Sequence, residues 1–121
     1  MKKILFAILF LILINGLTSC RSKSSMISKL LRQTARWAVA ARQDNNAMIS
    51  ILHANYAAGY LWALKDIASK AEIEAATGVD LRHFEHEIIK TQEMATKRVI
   101  KSCPDFAPPS SALTRIAGEG I

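Results

Sequence analysis

The sequence predicts an all-α protein: a small three-helix up-down-up bundle with a short connecting helix and a Pro/Gly-containing C-terminal tail. Two observations predict it. Apolar residues recur at three- and four-residue steps through long segments, and no segment carries the alternating pattern of a strand. The breaks between segments hold residues that start and stop helices.

The chain opens on Met1-Lys2-Lys3, an unbroken apolar run from Ile4 to Ile14, and the exit Asn15-Gly16-Leu17-Thr18-Ser19-Cys20. A charged start, a short apolar stretch and a small-residue close are the parts of a secretory signal. The run is short for a bilayer span, which needs about 20 apolar residues. Leu17-Thr18-Ser19-Cys20 resembles the lipobox of bacterial lipoprotein signal peptides, and the resemblance covers this first segment only. It implies residues 1–19 as a cleaved signal peptide and Cys20 as the lipidation site, the nucleophile that takes a diacylglyceryl group. An exported, membrane-anchored protein follows. Arg21 stands where an aspartate would hold such a protein at the inner membrane, so the resemblance favours the outer membrane in a host with two. Ordinary cleavage near Ser19 and an uncleaved anchor from Ile4 to Leu17 stay open as alternatives. A lipidated Cys20 leaves Cys103 without an intrachain partner, whereas a free Cys20 in an oxidising compartment permits a Cys20–Cys103 disulfide.

Loss of Lys2 and Lys3 with the signal lowers the formal charge from +6 to +4. The remaining charge is uneven. Arg21, Lys23, Lys29, Arg32, Arg36 and Arg42 all precede the first acid, Asp44, whereas seven acids lie from Asp66 to Glu93. A basic segment beside an anchor suits an anionic membrane surface or a solvated helix face. Export and the lack of an aromatic-basic reader motif argue against nucleic acid as a partner.

Residues 20–25 read as a lipid-tethered polar linker and residues 26–104 as the helical bundle domain. In the first bundle helix Ile27, Leu30, Leu31, Thr34, Trp37, Ala38 and Ala41 form one stripe, with Lys29, Arg32 and Arg36 on another face. Gln43-Asp44-Asn45-Asn46 supplies a helix end and the next N-cap. The second helix, from Ala47, has no formal charge between Met48 and Leu64, which suits a buried central helix. Its Ala54, Ala58 and Gly59 predict a close crossing with Ala38 and Ala41, so that Gly59→Leu would overpack it. Trp37 and Trp62 are expected in the shared core, and Met48 and Met94 as gap fillers.

Ser69-x-x-Glu72 has the spacing of a capping box and opens a short helix to about Ala76, with Gly78 as its left-handed stop. Asp80 caps the third long helix, whose stripe is Leu81, Phe84, Ile88, Ala95 and Val99; Pro104 ends it. Residues 105–121 read as a tail on or beside the bundle, with a short helix from Ser110 or Ser111.

Two constellations carry candidate chemistry. His53, Tyr56 and Tyr60 lie along one side of the second helix and form a candidate ligand-binding set, or place a His beside a Tyr for proton transfer. The bland reading is amphipathic core residues with their polar tips at the bundle rim. His83, His86 and Glu87 share neighbouring faces at helical spacing and form a candidate metal set, in want of a further ligand. They lie one residue short of the HExxH pattern, in a first turn that favours acids anyway. No Ser–His–Asp set or phosphate loop can be assembled, Cys103 at a helix C-terminus is disfavoured as a thiolate, and no cofactor is indicated. The expectation is a non-enzymatic, membrane-tethered helical binding or scaffolding protein of the cell envelope. It meets the membrane through an N-terminal lipid or an uncleaved anchor, and an envelope protein as partner. A small-ligand or metal-binding helical protein, and an envelope inhibitor or immunity-type protein, are the alternatives.

Overall fold

Short breaks near residues 45, 69 and 79 cut the chain into helices over residues 1–105, the part that the structure, a computed structural model, describes; the side chains of Lys2 and Cys20 fall outside that description. Four helices result: α1 Lys2–Gln43, α2 Ala47–Ile67, α3 Lys70–Thr77 and α4 Leu81–Ser102. The protein is all-α, and no strand occurs among the described residues. The tail helix expected at Ser110 or Ser111, the packing of the tail, and the fate of the Cys20 side chain lie outside the described residues.

Each break is built as the sequence predicts. Asn46 Oδ1 accepts from the backbone N–H groups of Met48 and Ile49 at 2.9 and 3.2 Å, and so starts α2. Ser69 and Glu72 complete a reciprocal capping box at α3. Gly78 takes φ +70°, the left-handed conformation that lets the chain leave α3. Asp80 Oδ1 accepts from the His83 N–H at 3.1 Å to open α4.

α1 and α2 form an antiparallel hairpin: the Trp37 ring meets His53 and Tyr56, and Ser50 Oγ donates to the Ala41 carbonyl at 2.7 Å. α4 runs back along α2, with Lys65 against Glu85, Asn55 against Gln92 and Ser50 against Arg98 in antiparallel order. α3, which follows α2 and precedes α4 in the chain, packs mainly on α1. The main core joins Ile27, Leu31, Leu61, Leu64, Ile73 and Ile88, and Ala41, Ala54 and Ala95 make a second, tighter contact among the three long helices. The predicted stripes of α1 and α4 face this core. Thr34, Ser50 and Thr91 are buried as well, each donating to a carbonyl: Thr34 to Leu30, Ser50 to Ala41 and Thr91 to Glu87.

The structure corrects several expectations. Residues 21–25 are helical, and α1 is continuous through them. No Pro or Gly interrupts Arg-Ser-Lys-Ser-Ser, and Lys23 Nζ donates to Glu72 Oε1 at 2.6 Å, which ties this turn to α3. Gly59 does not sit at a helix crossing: it is exposed, and a Cβ there would meet nothing within 4 Å. Ala54, Ala57 and Ala58 are the buried small residues instead. Trp62 is 51% exposed and lies with Lys65 Nζ 4.7 Å from its ring centroid, while Trp37 is partly buried against the core. Met48 and Met94 are exposed, so neither fills an internal gap.

Candidate functional site: the outer side of the second helix

A helix that is apolar on all sides presents apolar groups outward wherever no neighbour covers it. α2 does this. Its inner side, Ser50, Ala54, Ala57, Ala58, Leu61 and Leu64, is buried between α1 and α4. Its outer side, Met48, Ile49, Leu52, Tyr56, Gly59 and Tyr60, is exposed at three- and four-residue steps and bears no formal charge. These residues make a contiguous exposed apolar strip along the helix.

His53 stands at the edge of that side. Its Nδ1 lies 2.6 Å from Asp44 Oδ2, with both side chains about a quarter exposed (22% and 24%). The Trp37 ring packs on it with centroids 4.9 Å apart, and Tyr56 meets Trp37 edge-on at 5.2 Å. Tyr56 and His53 are 6.3 Å apart. The sequence-predicted trio is therefore only partly assembled: His53 and Tyr56 share a cluster, and Tyr60 lies a turn away with no ring contact to them among the described residues.

A carboxylate-oriented imidazole is two parts of an acid–base unit and needs a nucleophile as its third. Among the described residues no hydroxyl or thiol hydrogen-bonds to His53. The nearest serine on the hairpin, Ser50, is taken by the Ala41 carbonyl and by Arg98 Nη1 at 3.1 Å. Cys103 is exposed at the end of α4. The geometry around His53 fixes the α1–α2 turn and one end of the apolar side.

Sequence reasoning missed Asp44 and Trp37 as partners of His53. Their signal is the hairpin itself, because a tight turn near Asn45 folds position 37 onto position 53 and position 41 onto position 50.

On α4, His83 and His86 are exposed, and Glu87 is held by Arg42, whose Nη2 donates to Glu87 Oε2 at 2.8 Å. This contact lowers the Glu87 pKa. Arg42 Nε also donates to Thr91 Oγ1 at 2.9 Å, so the arginine braces α1 on α4. Among the described residues no three His, Cys, Asp or Glu side chains converge as a metal site, and His83, His86 and Glu87 are not brought together as one.

The apolar run at the start of α1 is the second exposed surface: Ile4–Ile14 and Leu17 touch nothing in the bundle. α1 is long and apolar enough at this end to cross a membrane by length and composition. Set against protein-family models, curated proteins and solved structures, the chain matches none of them.

Proposed function

We propose that the protein is a non-enzymatic, membrane-tethered helical module of the cell envelope that binds or scaffolds another envelope protein. One observation carries the reading: the uncovered apolar run Ile4–Leu17 continues directly into a bundle whose central helix leaves its own uncharged side open. The first surface suits lipid and the second an apolar protein face. A charged partner would find no counter-charge along Met48–Leu64.

The unbroken apolar run alone is shorter than the hydrocarbon core, although the α1 segment around it passes as a span by length and composition. The 14 residues from Ile4 to Leu17 rise about 21 Å as a helix, against a hydrocarbon core of about 30 Å. Cleavage before Cys20 with acylation there would replace the run by two or more acyl chains, which hold firmly. The continuity of α1 through residues 17–27 supports the uncleaved anchor as a second reading. An inhibitor or immunity-type role would use the same open side of α2, docked on an envelope hydrolase.

The intact mass of the protein extracted from its native membrane fraction tests the tether. We expect residues 20–121 plus acyl chains; the full-length mass would establish the uncleaved anchor. Recovery from the soluble fraction without acyl chains would overturn the tethered reading. Photo-crosslinking from Leu52, compared with Lys29 on the opposite side, tests the surface. A defined adduct from Leu52 alone is expected, and equal labelling from both positions would refute it.

A further inference from the structure

The outer face of α4 from its middle to its last turn, which meets the α1–α2 turn, carries positive charge that the fold does not consume. Lys90, Met94, Lys97 and Lys101 follow at steps of four, three and four residues, so they share one face of α4. They border one shallow groove with Glu93 and Arg98. A second groove between α1 and α4 shares Lys90 and Met94 and adds Arg42. Both arginines are committed: Arg98 Nη2 donates to the carbonyls of Asp44 and Asn45 at 2.9 and 3.0 Å, and Arg42 to Glu87. Among the described residues Lys90, Lys97 and Lys101 have no ion-pair partner. Met94 and Ile100 are each 41% exposed beside them. Lysines around exposed apolar side chains match an anionic bilayer surface, where ammonium groups meet phosphates while stems and apolar groups enter the headgroup boundary.

Geometry says which bilayer. α1 is helical without a break from the anchor to the turn, so no hinge folds the bundle down. From Leu17 to Arg42 the helix rises about 38 Å, and from Cys20 about 33 Å, against a Debye length of about 8 Å. The lysine face stands outside the field of the membrane that holds the N-terminus. We propose that this face binds a second, anionic bilayer surface, so that the protein bridges two membranes. The bridging, though not the binding, rests on the membrane-tethered reading above.

The test uses the protein extracted from its native membrane fraction, with the anchor it carries there, reconstituted in phosphatidylcholine vesicles, with co-flotation as the check on the anchor. Separate acceptor vesicles containing phosphatidylglycerol are then added, and clustering is followed by light scattering at about 0.1 M salt. Clustering is expected with anionic acceptors but not with neutral ones, and about 1 M salt should reverse it. The triple variant Lys90→Gln/Lys97→Gln/Lys101→Gln should weaken it about a hundredfold. All three lysines are exposed, so the bundle survives their loss. A charge-matched control, Lys29→Gln/Arg32→Gln/Arg36→Gln, should still cluster vesicles. Clustering unchanged in the first variant, or lost equally in the control, overturns the face. Flotation with the neutral host vesicles and no clustering with the anionic acceptors overturns the bridging. If the extracted protein fails to float with neutral vesicles, the tethered reading fails. The same protein added from solution to anionic vesicles then decides the face, because lysine-dependent flotation supports it and absent flotation overturns it.

Discussion

Glu72 shows how much one exposed carboxylate does here. It closes the capping box on Ser69 and accepts from Lys23, and these contacts, Lys23 first, lower its pKa from 4.5 to about 2. A folded-state pKa below the unfolded one contributes stability that is whole above pH 4.5 and lost as the pH falls toward 2. Wild type should therefore be more stable than Glu72→Gln at pH 7, and the gap in urea midpoints should close between pH 4.5 and 2. A gap that persists below pH 2 would mean that shape rather than charge separates the two. The capping half of this site is legible in the sequence, because Ser-x-x-Glu is local. Lys23 is not, because it comes from 49 residues away and from a stretch whose polar composition reads as a linker. The same holds for His53: its helix and face are readable, but Asp44 and Trp37 reach it only once the hairpin closes.

At the scale of the element, α4 and the bundle part of α1 from Ile27 onward are legible because each is largely polar away from one side, so the 3.6-residue period names the buried stripe. α2 defeats that reading. It is apolar nearly all round, the period carries no phase, and a glycine beside alanines reads as a crossing point when the alanines alone form it. Ala54 and Gly59 lie about 140° apart around the helix, so they cannot both face α1. Ala54 is fully buried with Ala41 and Ala95. Ala54→Leu should destabilise the bundle by about 1–3 kcal/mol through overpacking. Gly59→Ala, in open space and helical, should stabilise it by up to about 1 kcal/mol. Urea midpoints of the two variants decide the rotation of α2, and the reverse order of effects would turn the helix by that same angle. The rotation bears on the proposed function, because a glycine that no neighbour requires sits among Leu52, Tyr56 and Tyr60 on the surface proposed to meet a partner.

The whole molecule divides into a rod and a bundle that share one helix and little else. No residue from Ile4 to Ile14 packs on the core, whose first α1 member is Ile27, and the first side-chain tie to another helix is Lys23 on Glu72. Stability in a bundle comes from packed apolar area rather than helix propensity. On the proposed tethering, the run Ile4–Leu17 contributes to location and not to folding. Removal of residues 2–19 should leave the urea midpoint of the bundle unchanged, measured against full-length protein in detergent. On the proposed tethering, the same deletion should move the protein from the membrane pellet to the supernatant, because it removes both the apolar run and the signal proposed to lead to acylation. A large fall in the midpoint would show that the rod packs on the bundle. The open side of α2 is then the first place to look for it, since an apolar helix folded back there would cover Met48, Leu52 and Tyr56 together. An unchanged midpoint with loss of the membrane fraction leaves that side free for a partner, and leaves the lysines of α4 toward the end farthest from the anchor.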